Sequence, residues 1–407
     1  MNVDKQALGR YDNLASKKTV LIACGHPLLE HPNAIRMLNF GKMLKRDYDV
    51  FALGYVCDDS QDLSFELDGI HCFQFSFNTN RSVSAKLKKR TEQKQKLKDF
   101  LRGIPTPVCI ITAASFYDVL QGAIRSYAKE WSCPIIQSVC EWYDKNNDNF
   151  AGLMGKIKFL LNRYQLISYN VKCGNEICIS SLLNKYYESK GCHCIRITTT
   201  VDIKEFKIYD NTQKDSETLH LMYAGSPKKK DYLGNMIGGI ALLDEQNKSS
   251  IRFDVFGVTY GQAKKELNLS EQTLMELDGI VVFHGRVPHD RITEALQEAD
   301  FTVLLRPDAR YANAGFPTKV GESMASGVPV IANITSDLEM YILDGKTGLI
   351  CKDESDHSFA ETLIRAVSLK NDEIDRMKIE ARKMAEEHFE YSKFSEALTS
   401  FIGKCRR

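Results

Sequence analysis

Apolar positions in this chain gather into short, nearly continuous runs, separated by longer stretches with helical spacing. Residues 18–24 (KTVLIAC) form a β-branched run, followed by the loop GHPLLEHPN and a helical pattern in which Ile35, Leu38 and Leu44 recur and Asn33 is placed to cap. Further strand-like runs fall at 48–55, 70–77, 108–114, 134–139, 176–179 and 194–200. The same grammar restarts at 219–225 and continues at 251–257, 280–284, 300–307 and 328–332, with helices expected between these runs and over 355–369 and 372–388. Gly191 is placed as the residue after a helix end. Uninterrupted apolar runs are what strands covered on both faces of a parallel sheet show. Their alternation with helices predicts two α/β units with right-handed crossovers.

The polar segment 201–218 (VDIKEFKIYDNTQKDSET) reads as a linker. A first domain is therefore expected over 1–200 and a second over 201–390, with a C-terminal helix in 391–407 packing back on the first. Two stretches carry a double reading. Residues 81–102 are heavily basic with sparse apolar positions, as in a solvated surface helix or a face turned toward anionic headgroups or a phosphate-bearing acceptor. Residues 150–172 mix aromatics and leucines with Lys156, Lys158, Arg163 and Lys172, as in a domain-packing helix with a basic rim or an amphipathic interfacial helix.

Composition narrows the class. A chain of 407 residues with 43% hydrophobic and 26% charged residues suits two globular domains. The net charge of +1 provides no general attraction to nucleic acid. It divides unevenly, about +8 over residues 1–200 and about −7 over the rest, which suggests domains with different partners. The twelve cysteines are scattered, several within apolar runs, and read as reduced core thiols. The spacing of Cys192, His193 and Cys194 is too tight for a tetrahedral zinc site. No apolar run reaches the roughly 18 residues needed to span a bilayer, and the first residues lack the apolar centre of a signal peptide. The expected location is cytoplasmic, at most on the inner face of the cell membrane.

Candidate chemistry lies at strand ends, where open parallel sheets collect ligands. In the first half these positions hold His26, His31, Ser115, Tyr117, Glu141, Trp142 and Asp144. In the second half Gly225 ends one run and Lys230 follows at a helix opening, Arg306 ends another run, and Lys319 opens the helix TKVGESMASG. Three cations and two helix N-termini facing one crevice would neutralise a diphosphate. Glu322, one turn into that helix, offers a carboxylate to paired ribose hydroxyls. Neither GHPLLEHPN nor GSPKKKDY fits the G-x-G-x-x-G pattern of dinucleotide oxidoreductases.

Residues 314–332 (AGFPTKVGESMASGVPVIA) resemble the nucleotide-sugar segment of family-4 glycosyltransferases with the GT-B fold. YAGSPKKKD is similar to their phosphate loop, VVFHGRVPHDRITEALQEAD to their base-contacting loop and following helix, and TTTVDIKEF to their interdomain linker. CEWYD and the FPTKVGE helix start resemble members from bacterial surface-polysaccharide clusters. The resemblance implies a GT-B fold, two Rossmann-like parallel-sheet domains facing a cleft. It implies a retaining, metal-independent, hexosyl-type transferase without a cofactor. The donor would be a UDP- or GDP-sugar, and the acceptor a lipid-linked glycan or polysaccharide of a capsule, O-antigen or exopolysaccharide. The implied donor contacts are Gly225, Ser226, Lys230, Arg286, Val287, Gly315, Phe316, Thr318, Lys319 and Glu322. Lys230, Arg306 and Lys319 would stabilise the diphosphate, and Glu141 or His31 would orient the acceptor. Three positions depart from the pattern: Ala314 stands where the family's first glutamate falls, Ser226 replaces an arginine, and Ser115 or Tyr117 stands near a missing histidine. These departures leave open a non-catalytic accessory subunit or nucleotide-binding pseudoenzyme and, further off, a sugar-nucleotide epimerase.

Overall fold

The computed structural model describes residues 17–29, 31–56, 61–76, 83–116, 118–143, 152–207, 218–225 and 230–406. The chain divides into two compact units, one of residues 1–200 with 391–407 and one of residues 201–390.

In the first unit the order is β1 (Lys18–Ala23), α1 (Pro32–Leu44), β2 (Tyr48–Val56), β3 (Leu63–Leu67), β4 (Ile70–Ser76), α2 (Val83–Gly103), β5 (Cys109–Thr112) and α3 (Val119–Trp131). It continues through β6 (Ile135–Val139), α4 (Gly152–Tyr164), a π-helical turn (Gln165–Tyr169), α5 (Asn170–Cys173), β7 (Asn175–Cys178), α6 (Ser181–Ser189) and β8 (His193–Arg196). The sheet runs β3-β4-β2-β1-β5-β6-β7-β8 and is parallel except at β3, which pairs antiparallel to β4 at one edge. The apolar runs are strands because both faces are covered. On one face Met37, Phe40 and Leu44 of α1 pack with Leu398 and Phe401 from the C-terminal segment; on the other lie Leu97 and Leu101 of α2 and Ile124 of α3.

Two local expectations are corrected. His31, not Asn33, caps α1: its Nδ1 accepts the Asn33 N–H at 3.2 Å, and Pro32 takes the first helical position, where its missing donor costs nothing. Ile35 is 46% exposed, because the buried face of α1 is made by Met37, Leu38, Phe40 and Gly41. Arg36 and Asn39 on that helix instead hold the carbonyls of Ile197, Thr198 and Thr200, where the chain leaves the unit.

In the second unit the order is β9 (Leu219–Ala224), α7 (Leu233–Ala241), α8 (Glu245–Ser249), β10 (Ile251–Phe256), α9 (Tyr260–Glu266), α10 (Glu271–Glu276), β11 (Val281–Gly285) and α11 (His289–Glu298). Then come β12 (Phe301–Leu304), α12 (Arg310–Ala314), α13 (Thr318–Ala325), β13 (Val330–Asn333), β14 (Gly348–Cys351), α14 (Asp356–Val367) and α15 (Asn371–His388), before α16 (Ser395–Gly403) joins the first unit. The sheet is β11-β10-β9-β12-β13-β14, with every pairing parallel. Leu233, Ile237 and Ile240 of α7 and Phe359 and Leu363 of α14 fill its larger core. Gly191 has φ +79° and Gly257 has φ +91°, values that only glycine adopts without strain.

Every cysteine among the described residues carries a free thiol. All lie in the first unit except Cys351. No helix among the described residues is long and apolar enough to cross a membrane.

Candidate functional site

From β9 the chain steps outward to β10 and β11, then returns to β12 on the opposite side of β9. The helices that follow β9 and β12 therefore leave on opposite faces, and the carboxyl ends of these two strands flank the crevice in which doubly wound sheets bind ligands. Gly225 follows β9 and its N–H donates to the Phe256 carbonyl at 3.0 Å. A Cβ at Gly225 would lie 2.9 Å from Lys319 Nζ and 2.9 Å from Tyr223 Oη, and one at Gly257 would lie 2.2 Å from the Gly225 carbonyl. At Gly257 both the positive φ and the backbone of Gly225 exclude a side chain, which lets the two strand ends pass closely.

Arg306 follows β12. Its backbone is clamped by Asn333, which accepts from the Arg306 N–H and donates to the Arg306 carbonyl, both at 2.8 Å. Tyr232 ties the loop before α7 to the same strand end by donating to the Leu305 carbonyl at 2.8 Å. These ties converge on Asp231. Its carboxylate accepts from Lys319 Nζ at 2.6 Å and Tyr223 Oη at 2.9 Å and lies 3.7 Å from Arg306 Nε. Lys319 Nζ also stands 4.2 Å from the Tyr223 ring centroid. Burial works against ionisation of Asp231, but Lys319 and Arg306, with the hydrogen bonds from Lys319 and Tyr223, outweigh it and hold the carboxyl below its usual range. The same burial, with Asp231 beside it, pushes the Tyr223 hydroxyl up.

Two of the three expected cations thus converge on one carboxylate. Arg306 is nearly buried, with 7% of its side chain exposed, and it shares Asp231 with Lys319, of which 30% is exposed. Two cations withdrawn from water need a counterion, and Asp231 supplies it. Lys230 sits half-buried in the turn immediately before. Neither α7 nor α13 has a side chain capping its N-terminus, so the first-turn amides add to the positive end of the crevice. Thr318 and Lys319 open α13, and Glu322 lies one turn on, half-buried. Gly315 is buried, and Ala314 is fully buried at the end of α12.

Phe316 turns its ring inward. It is 6% exposed and packs on Tyr341 and Phe389 at ring distances of 5.4 and 5.9 Å, because its large apolar ring anchors the loop ahead of α13. Val287 is likewise half-buried against the cluster of Met222, Phe256 and Leu296, while Arg286 is exposed after the edge strand β11. Ser226, Tyr117 and Asp144 lie outside the described residues.

In the first unit Ser115 and Glu141 come together in a polar hollow at the ends of β5 and β6, with Asn33, Gln137, Gln165 and Asn170. Gln165, on the π-helical turn, accepts the Phe116 N–H at 2.7 Å and donates to the Ala114 carbonyl at 3.1 Å, fixing the loop that carries Ser115. Gln137 Nε2 and Asn170 Oδ1 are buried there without a hydrogen-bond partner. His26 and His31 stack at 3.6 Å; burial lowers both ring pKa values, and Glu141 opposes it. The Nδ1 of His31 is spent on the α1 cap, which leaves only its Nε2 for an acceptor. Trp142 packs edge-on against Tyr186. Beneath, Glu176 in β7 is fully buried and both its carboxyl oxygens lack partners; burial first and Cys194 second push its pKa well above 4.5.

Asp231, Tyr223, Gln137, Gln165 and Asn170 escaped sequence reasoning. Asp231 carried a visible signal, a carboxylate directly after three lysines, and Gln137 another, a polar residue inside the run IIQSV. Gln165 and Asn170 sit in a helix-like stretch with no local mark.

Residues 205–384 match the family model described as glycosyl transferases group 1. Over 157 residues, 38% of this chain, the sequence is 26% identical to the putative colanic acid biosynthesis glycosyltransferase WcaL of Escherichia coli (strain K12), and the match spans 37% of that protein's length. Among solved structures, the sucrose-phosphate synthase from Thermosynechococcus elongatus superposes with a TM-score of 0.71 at 12% identity, covering 95% of this chain and 99% of that one. HepE from Anabaena, solved in complex with UDP and glucose, gives 0.63 at 12% identity over 94% and 99%. The lipopolysaccharide outer core galactosyltransferase WaaB gives 0.59 at 15% identity over 94% and 99%. At such identities the structures speak for the fold, and the family match speaks for the second unit. Residues 205–384 thus match the glycosyl transferases group 1, and the chain that carries them has the GT-B fold.

Proposed function

We propose that this protein is a retaining glycosyltransferase that moves a hexosyl group from a UDP- or GDP-sugar to a lipid-linked or polysaccharide acceptor in surface-glycan synthesis, at the cytoplasmic face of the membrane. The observation that carries this reading is the Lys319–Asp231–Arg306 cluster beside Gly225 at the switch point of the second sheet. A diphosphate set against Lys319 and the amides of α13 meets donors already oriented for it. In the reaction the bond between the anomeric carbon and the leaving phosphate oxygen breaks, and the acceptor oxygen bonds to that carbon. The acceptor proton passes to the departing phosphate. Lys319, Arg306, Lys230 and the helix amides stabilise the charge left on the diphosphate, so the step needs neither a cofactor nor a metal. Preorganised donors of this kind are worth roughly 3 kcal/mol each. Glu322 receives the ribose hydroxyls, Gly225, Gly315 and Thr318 offer backbone to the phosphates, and Arg286 borders the base. The first unit's hollow, with Glu141 and the remaining nitrogen of His31, orients the acceptor hydroxyl.

Support beyond geometry comes from relatives: HepE binds UDP and glucose, and WcaL and WaaB carry surface-polysaccharide names. The test incubates purified full-length protein with radiolabelled UDP- and GDP-sugars, with and without EDTA and membrane extract, and follows label into lipid or polymer and into free sugar. Transfer that survives EDTA is expected. A buried alanine at 314, where the family places a carboxylate, favours a second reading, a nucleotide-binding accessory subunit. Nucleotide binding without transfer or hydrolysis in that assay selects it.

A further inference from the structure

Helix α4 presents its faces the wrong way round for a solvated helix. Its buried residues are Gly155 and Asn162, whereas Leu153, Met154, Ile157, Leu160 and Tyr164 are 78%, 66%, 43%, 63% and 46% exposed. At about 100° per residue, Leu153, Ile157, Leu160 and Tyr164 fall within an arc of about 60°, opposite Gly155 and Asn162. Ile167, 40% exposed on the π-helical turn, follows them in the chain. A surface helix ordinarily turns its apolar stripe to the core, and a contiguous exposed stripe marks a surface that something else covers.

The rim identifies the cover. Lys156, Lys158, Arg163 and Lys172 are exposed, and residues 152–175 contain no Asp or Glu. A second copy packed face to face would set these cations against each other. An anionic lipid surface accepts both parts: leucines and isoleucines enter the acyl boundary while the ammonium and guanidinium groups reach back to headgroup phosphates on their aliphatic stems. Tyr164 has the amphipathic ring suited to that depth. We propose that α4 is a membrane-docking helix, lying in the plane of an anionic bilayer surface with Leu153, Ile157 and Leu160 inserted.

The experiment floats full-length protein with vesicles of phosphatidylcholine alone or with about one third phosphatidylglycerol. Wild-type protein is expected to float with the anionic vesicles and remain behind with the neutral ones. Leu153→Ser/Leu160→Ser and, separately, Lys156→Glu/Arg163→Glu are each expected to lower partitioning roughly tenfold or more. All four positions are exposed, so melting temperatures and nucleotide-induced thermal shifts stay at wild-type values, which separates loss of lipid binding from loss of donor binding. Wild-type protein that fails to float, or variants that float equally well, overturn the proposal. So does a concentration-dependent dimer in the ultracentrifuge that Leu153→Ser/Leu160→Ser abolishes while vesicle binding persists, since the face then belongs to a second copy.

Discussion

Asp231→Asn keeps the shape of the side chain and removes the one negative charge that Lys319 and Arg306 share. With 7% of the Arg306 side chain and 30% of Lys319 exposed, the two cations are left facing each other with little water to screen them. Breaking a buried pair costs about 3–5 kcal/mol, and the partial exposure of Lys319 places this case near 3. For a unit of residues 201–390, that corresponds to a fall of roughly 6–12 °C in melting temperature. The sign with pH follows from the depressed pKa of Asp231. Its contribution is present above the ordinary value of 3.8 and lost as pH falls through the folded value, so wild type and variant converge in acid. A diphosphate restores the missing anion. At about a hundred times its dissociation constant UDP stabilises by about 2.7 kcal/mol, and the tighter-binding variant gains more than wild type at equal concentration. Calorimetric scans of the full chain with and without UDP measure both quantities. A variant melting within about 1 °C of wild type would refute the counterion argument, and equal UDP shifts would refute the idea that a diphosphate competes for the same charge.

Lys319→Ala is expected to reduce transfer on the order of a hundredfold while leaving the fold intact, as a steady-state assay beside a circular dichroism spectrum will show. Glu322→Ala is expected to weaken nucleotide binding about tenfold by titration calorimetry through loss of the ribose contact; an unchanged dissociation constant speaks against that contact. Glu176→Gln is expected to stabilise the protein near neutral pH. The raised pKa of Glu176 means that its own contribution to wild-type stability is fully present below 4.5 and falls by up to about 1.4 kcal/mol per pH unit as pH rises toward the folded pKa, whereas the glutamine lacks this slope. Urea unfolding at several pH values between about 5 and 8 shows whether the curves diverge as pH rises.

Strands with an unbroken apolar run were legible because burial on both faces leaves no polar position; KTVLIA and LHLMYA are β1 and β9. The strands that escaped are those without such a run. LSFEL is an antiparallel edge strand with exposed residues, and GLIC begins at a position where only glycine fits, because a Cβ there would lie 2.2 Å from the Val330 carbonyl. Of the candidate site, the sequence carried the residue types that a phosphate attracts, and Gly225, Arg306 and Lys319 do meet. What it could not carry is the neutralisation of both cations by Asp231, since that partner of Lys319 sits 88 residues away. The packing of the Phe316 ring was illegible for a related reason: an aromatic beside candidate donor contacts looks the same in sequence whether its ring reaches a ligand or anchors the loop on Tyr341 and Phe389. The double reading of residues 150–172 could be narrowed only once Gly155 and Asn162 were seen on the inner face.

The distribution of thiols makes the chain its own reporter of domain opening. Cys24 and Cys109 are buried in the first sheet, with burial raising the Cys24 thiol to about 12, and Cys351 stands alone in β14 of the second, raised to about 11 by the same cause. Thiolate is the species that alkylates, so these groups react when their own unit opens and hardly before. A mass spectrum of protein pulsed with iodoacetamide through a denaturant series therefore resolves two unfolding curves from one unmodified polypeptide. UDP protection confined to the Cys351 curve would locate nucleotide binding in the second unit without any label having been introduced.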